Sequence, residues 1–229
     1  MKNMNDDAAR DLRRTVRYVT QNLEAAYGIP RPEHHPDVLD ELIGTILSQS
    51  TSDVNSRRAF ESLKRRFPEW ESVRKARPST IADAIRSGGL ANTKSVVIKN
   101  VLNEIKKRRG DLDLQFLKTA EIDHALEFLT SLKGIGPKTA ACVLLFSANR
   151  PVFPMDTHIF RIARRVGLLP DRISDKQAHV LMDSLVPRGK HLSLHINLIR
   201  HGRLICKPQN PKCLDCCLVE HCDYGRNLI

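Results

Sequence analysis

Apolar residues recur at spacings of three and four along most of the chain, as in Leu12, Val16, Val19 and Leu23, then Ile81 and Ile85, then Val97, Val101, Leu102 and Ile105. That period is helical, because it keeps one face of a 3.6-residue turn apolar. Ser79 with Thr80 ahead of Ile81, and Ser174 with Asp175 ahead of a polar and apolar run, predict helix starts. No stretch alternates with period two for long enough to make a sheet, and Pro151–Pro154 is short and proline-bounded. The pattern predicts an all-α fold of about ten short helices. It contains no low-complexity tract and no repeating unit.

Two places break the periodicity. Two prolines interrupt it around residues 149–154, and three prolines with two histidines occupy residues 29–36. These seams predict one domain over 35–150 and a second, discontinuous one made of 1–34 and 151–229, with the first helix packing against the C-terminal part.

Composition narrows the class. With 229 residues, 41% hydrophobic and 28% charged, the chain can bury one sizeable core or two small ones, which argues against disorder and fibrous folds. No apolar run approaches the roughly 18 residues that span a bilayer, and Met1 to Arg17 is charged rather than signal-like, so a cytoplasmic protein with no membrane partner is expected. The net charge of +11 is concentrated: residues 57–109 carry 15 basic and 5 acidic side chains, and 133–165 carry 6 and 1. A polyanion partner follows, nucleic acid ahead of a membrane surface, although solvated helix faces produce similar runs. No long apolar stripe is left over, so a monomer is expected.

Five of the six cysteines fall at 206, 213, 216, 217 and 222, while Cys142 stands in an apolar stretch and is read as core. A terminal group of this kind points to metal ligation rather than to a disulfide framework. Cys206, Cys213, Cys216 and Cys222 read C-x6-C-x2-C-x5-C, with Cys217 as an extra thiol beside the third ligand. Four thiolates suit tetrahedral zinc or an iron-sulfur cluster, and softness does not separate the two. Neither centre would be hydrolytic, since four protein ligands leave no open position for a substrate; a structural role is expected, with redox sensing as the alternative. Lys207 and Lys212 lie in the loop between the first two ligands, placed to meet phosphates.

The stretch from Leu132 to Ala141 reads LKGIGPKTAA. Gly134 and Gly136 allow a tight turn between two helices, and Pro137 suits the first turn of the second. Free amides at that helix start, with the positive end of its dipole, can hold a phosphate without reading a base. A plain glycine-bearing connection has the same sequence. Lys138 falls in the first helical turn, where the dipole disfavours a cation and favours the free amine, a nucleophile able to form Schiff bases. A phosphate-contacting lysine is the alternative. Eighteen residues on, Asp156 opens the run Asp-Thr-His-Ile-Phe-Arg; it can cap a helix, and a carboxylate fixed there can also stabilise positive charge on a substrate. His158 is read as a structural hydrogen-bonding residue.

Together, the hairpin with Lys138, the Asp156 segment and the terminal cysteines resemble the endonuclease III branch of helix-hairpin-helix DNA glycosylases, over roughly residues 38–224. The resemblance implies a two-lobed molecule, a six-helix barrel domain with the hairpin and a helical domain carrying a 4Fe-4S cluster on Cys206, Cys213, Cys216 and Cys222. It implies duplex DNA with damaged or mismatched bases and abasic sites as partner, and a nucleoid-associated, non-secreted location. It assigns Lys138 as nucleophile at C1′ and Asp156 as stabiliser of the cationic sugar, for base removal followed by β-elimination, with oxidised pyrimidines as substrates. A base taken out of the stack leaves a gap to be filled. By resemblance, Leu90 is the apolar wedge, and the polar one comes from the loop holding Gln49 and Ser50. The relatives carry glutamine where Ser50 stands, so the glutamine is shifted by one residue. Gln49 satisfying a helix end and Leu90 in the core are the plainer readings. Two other functions compete: a monofunctional mismatch glycosylase acting on uracil, thymine or, less readily, adenine, and a non-catalytic DNA-binding module with a zinc staple.

Overall fold

The computed structural model describes residues 6–31, 35–170 and 172–228; residues 32–34 of the first seam lie outside them. Among the described residues are twelve α-helices, four short 3-10 turns and no strand. The helices beyond the number expected are short ones, six and four residues long, too brief to show a period. Backbone contacts divide the chain into two compact units, Met1–Glu33 with Pro151–Ile229, and His34–Arg150.

The His34–Arg150 unit holds α2 (Val38–Ser48), α3 (Asp53–Arg66), α4 (Trp70–Lys75), α5 (Pro78–Ala84), α6 (Ala91–Arg109), α7 (Ile122–Thr130) and α8 (Pro137–Phe146). Asp37 caps α2, its Oδ1 accepting from the amides of Leu39 and Asp40 at 2.9 and 3.2 Å. Ser52 caps α3 in the same way through the amide of Asn55. α5 begins at Pro78, one residue before the predicted Ser79, because proline's fixed φ suits the first helical position while Ser79 is already inside the turn. α2 packs on α3 and α8, α5 lies along α6, and α7 lies against α8. Leu42, Ile43, Ile46, Ile81, Ile98 and Leu102 are completely buried, each contributing about 1.5–3 kcal/mol. α8 is buried at every position from Thr139 to Leu145, which makes it the central helix of this unit.

One carboxylate of α2 is held at a cost. Burial pushes Glu41 up to about 7 from its ordinary 4.5, against the pull of Thr45 Oγ1, which donates to Oε1 at 3.1 Å. Its folded pKa exceeds the unfolded one, so the stability tied to this group is full below about 4.5, declines as pH rises to about 7, and is flat above. Glu41→Gln should therefore stabilise the protein at pH 8 by about 2–3 kcal/mol and flatten the pH dependence. Urea unfolding at pH 5 and at pH 8 checks this; equal midpoint shifts at the two pH values would contradict it.

The other unit contains α1 (Asp6–Tyr27), α9 (Thr157–Arg165), α10 (Asp175–Leu185), α11 (His191–Leu204) and α12 (Asp223–Arg226). α1 and α9 both pack against α11. Val16, Val19 and Leu23, the apolar stripe of α1, join one core with Ile159, Met182 and Leu194. Ser174 and Gln177 form a full capping box at the start of α10, the second predicted helix start. The proline-bounded segment behaves unlike a linker: Phe153 is 1% exposed and Met155 2%. The Phe153 amide donates to Asp183 Oδ1 at 2.7 Å, and the Pro154 carbonyl pairs with His195 Nδ1 at 3.0 Å. Its backbone polar groups are thus satisfied by side chains of α10 and α11, which lets an irregular strap be buried. Among the described residues no helix is long and apolar enough to cross a membrane.

Candidate functional site

The α7–α8 hairpin is anchored by its apolar residues, Leu132 and Ile135 being buried while Lys133 and Lys138 are exposed. Its two glycines do different work. Gly134 has φ +96°, and a Cβ there would come within 2.8 Å of Val97 Cγ1 on α6. Gly136 has φ −93° and nothing within 4 Å of its would-be Cβ. Only the first is demanded by the fold. Gly134→Ala should cost about 1–2 kcal/mol from backbone strain alone, whereas Gly136→Ala should stay within about 0.5 kcal/mol. Denaturant unfolding separates them, and adding Val97→Ala to Gly134→Ala should relieve only the part due to contact. Loss of DNA affinity in Gly136→Ala with intact stability would indicate a phosphate approaching that backbone.

Gly136 is the N-cap of α8 and supplies no side chain, so no side-chain cap closes the helix start. Pro137 is the first helical residue and Lys138 the second, which puts an exposed amine beside the positive end of the central helix. The next residue, Thr139, is 5% exposed, and its Oγ1 accepts from Gln49 Nε2 at 3.3 Å. Gln49 thus ties the end of α2 to the first turn of α8. Ser50 is exposed with φ 53°, and Leu90, the N-cap of α6, is 60% exposed with φ 49°, so the core reading of Leu90 does not hold.

The sequence count of basic side chains overstates the outward charge. Lys94 and Lys99 turn inward, Lys94 donating to the carbonyls of Leu47 and Gly88 and Lys99 to those of Arg74 and Ala76. Neither is distinguishable by sequence from the exposed lysines around it.

In the other unit Asp156 is the N-cap of α9, its Oδ1 accepting from the Ile159 amide at 2.8 Å. His158 Nδ1 pairs with Arg161 Nη2 at 2.9 Å, in keeping with a structural role. Arg161 also donates to the carbonyls of Gly202 and Cys206 at 2.9 Å each, joining α9 to the end of α11. These contacts escaped the sequence reading, because nothing local marks Arg161 apart from its neighbours.

Cys206, Cys213, Cys216 and Cys222 line a single cavity, and Cys217 does not. Hydrogen-bond donors surround their sulfurs: Arg165 Nη1 to Cys206 at 3.3 Å, the Leu218 amide to Cys216 at 3.4 Å and the Gly225 amide to Cys222 at 3.3 Å. His201 Nε2 lies 3.4 Å from Cys216 Sγ, with its Nδ1 paired to the Tyr27 hydroxyl at 2.9 Å. Burial pushes the Cys216 thiol up to about 12 and raises Cys217 and Cys222 as well, which favours the protonated thiols, and a bound cation would reverse that. Among the described residues no three His, Cys, Asp or Glu side chains are grouped to chelate one ion. Arg165 clamps the intervening loop through the carbonyls of Lys207 and Pro208 at 2.7 and 3.0 Å, leaving the side chains of Lys207 and Lys212 exposed.

Residues 43–188 match the family described as HhH-GPD superfamily base excision DNA repair protein. An Arabidopsis thaliana protein carrying the name DNA glycosylase At3g47830 is 41% identical over 167 residues, 73% of this chain; the match spans 57% of that relative, little more than half its length. An endonuclease III of Sulfolobus acidocaldarius is 38% identical over 192 residues, covering 82% of each chain. Among solved structures, a trapped endonuclease III–DNA covalent intermediate superposes with a TM-score of 0.79 at 22% identity, covering 94% of this chain and 98% of the other.

Proposed function

The chain belongs to the HhH-GPD superfamily of base excision DNA repair proteins and is by family a base-excision DNA glycosylase; on that premise we propose that it couples removal of an oxidised pyrimidine to cleavage of the strand. The observation that carries this reading is Lys138: an exposed amine in the first turn of a buried central helix whose start no side chain closes. Phosphate oxygens suit the free amides of that turn, which would bring the sugar to the amine. Lys138 Nζ attacks C1′ of the extruded nucleotide; the N–C1′ bond forms as the glycosidic bond breaks, and the departing base takes up a proton. The C1′–O4′ bond of the resulting aminal then breaks, O4′ taking up a proton, to give a protonated imine that acidifies C2′, and loss of a C2′ proton expels the 3′ phosphate by β-elimination. Asp156, fixed by its own helix, stabilises the positive charge that develops on the sugar and helps take the proton from the lysine.

The cysteine cavity suits a 4Fe-4S cluster held by Cys206, Cys213, Cys216 and Cys222, because all four residues line one cavity and four thiolates are the ligand set such a cluster takes. When bound, such a cluster supplies a structural staple. The chain's own contribution is the set of N–H donors on the sulfurs and the Arg165 clamp, which presents Lys207 and Lys212 to phosphates. The protein would act as a monomer on duplex DNA at the nucleoid, with Gln49, Ser50, Leu90 and the hairpin glycines at the DNA.

Duplexes bearing thymine glycol, uracil opposite guanine, or thymine opposite guanine test the proposal when base release and strand scission are measured separately. Scission that keeps pace with release, fastest on thymine glycol, is the expected result. Release without scission would make the enzyme monofunctional, and activity confined to the mispairs would replace the substrate.

A further inference from the structure

Lys94 is 3% exposed, yet it lies in the first turn of α6 beside the loop that ends in the exposed Leu90. Its Nζ donates to the carbonyl of Leu47 and to that of Gly88, both at 2.8 Å, so these two oxygens lie at most twice that distance apart. Leu47 is the last buried residue of α2 before Gln49 and Ser50; Gly88 precedes Gly89 and Leu90. One ammonium thus joins the roots of both loops assigned to filling the gap left by an extruded base.

The backbone at the loop tips makes such a tie necessary. Ser50 and Leu90 both sit at positive φ, 53° and 49°, a region that costs a residue with a Cβ about 1–2 kcal/mol. A side chain 60% exposed cannot hold its own backbone there by packing, and α6 has no side-chain cap at Leu90. Strain of this kind persists only where the surroundings over-determine it. The Lys94 amide supplies one restraint, donating to the Leu90 carbonyl at 2.9 Å, and its ammonium supplies the other, from within the unit.

We propose that Lys94 is a positioning residue for base extrusion, an internal strut that holds the Gln49–Ser50 and Gly89–Leu90 loops at a fixed separation so that both enter the duplex together. The proposal rests on the glycosylase reading above and on the wedge role of Leu90. It assigns the lysine no contact with DNA: its charge is spent on two carbonyls, and its effect is transmitted through the loops.

The fold contains a matched control. Lys99, on the same helix, is a second internal strut, donating to the carbonyls of Arg74 and Ala76 at 2.9 and 2.6 Å, between α4 and α5 and away from both loops. Lys94→Met and Lys99→Met each remove one ammonium from two carbonyls and should both lower the melting temperature. Only Lys94→Met should reduce the fluorescence rise of 2-aminopurine placed beside a lesion, and with it single-turnover base release from duplex, by about tenfold to a hundredfold. Affinity for undamaged duplex should move by less than about threefold, since the phosphate contacts are elsewhere. Equal losses in the two variants, or an unchanged unstacking signal in Lys94→Met, would overturn the proposal. Leu90→Ala separates the two levels: if unstacking survives it, the wedge reading falls and the strut with it; if Leu90→Ala abolishes unstacking while Lys94→Met does not, the strut alone falls. Should Lys94→Met fail to fold, Lys94→Gln, whose amide can satisfy one of the two carbonyls, is read by the same criteria.

Discussion

Lys138→Ala is expected to give no borohydride-trapped adduct with an abasic-site duplex and to slow base release by at least about a thousandfold, because a nucleophile that forms the covalent intermediate has no substitute. The structure makes this substitution informative. Lys138 is exposed and takes no part in the core of α8, so its truncation should leave stability within about 0.5 kcal/mol and a lost activity cannot be blamed on folding. Binding to duplex should weaken only by what one charge contributes. A trapped adduct that survives in Lys138→Ala would reassign the nucleophile, and wild-type protein that gives no adduct would reduce Lys138 to a phosphate contact.

The second large effect is expected at Asp156, where the observed helix cap and the proposed catalytic role would share one side chain. As the N-cap of α9 it accepts from the Ile159 amide, a bond that asparagine can make equally well. Asp156→Asn should therefore leave the melting temperature nearly unchanged while lowering base release about a hundredfold to a thousandfold, the usual scale for losing a group aimed at developing charge. Asp156→Ala should add a cost of about 1 kcal/mol in stability. Wild-type turnover in Asp156→Asn would leave the residue a cap and nothing more.

The difference between what was legible in sequence and what was not follows the range of the interactions. The stripe of Val16, Val19 and Leu23, the capping box of Ser174 and the hairpin start at Pro137 are local patterns, set by residues within one or two turns, and each reappears in the fold. Cys142 in the core follows from the apolar run around it. Lys94, Lys99, Arg161 and Arg165 are different: each satisfies carbonyls brought near it only by tertiary packing, Lys94 reaching back 47 residues to Leu47 and Arg165 forward 42 to Lys207. A count of charges reads all four as surface. The burial of residues 151–154, which begin the second unit where the seam predicts a boundary, is not legible for the same reason, since the groups that permit it, Asp183 and His195, come from distant helices. The distinction between Cys216 and Cys217 is likewise a matter of which sulfur faces the cavity, which spacing alone leaves open.

The pairing of α1 with α11 bears on the order in which the protein is made. α1 leaves the ribosome ahead of α11, its main packing partner, which follows about 160 residues later, at typical elongation rates of roughly 5–20 residues per second a delay of some ten to thirty seconds. In that interval Val16, Val19 and Leu23 stay uncovered, while the intervening unit, which draws on one continuous stretch of chain, has everything needed to form its core. α1 is thus made well before the helix that secures it. The cysteines at 206–222 follow α11 in the chain, so they too emerge after the helix that α1 packs against.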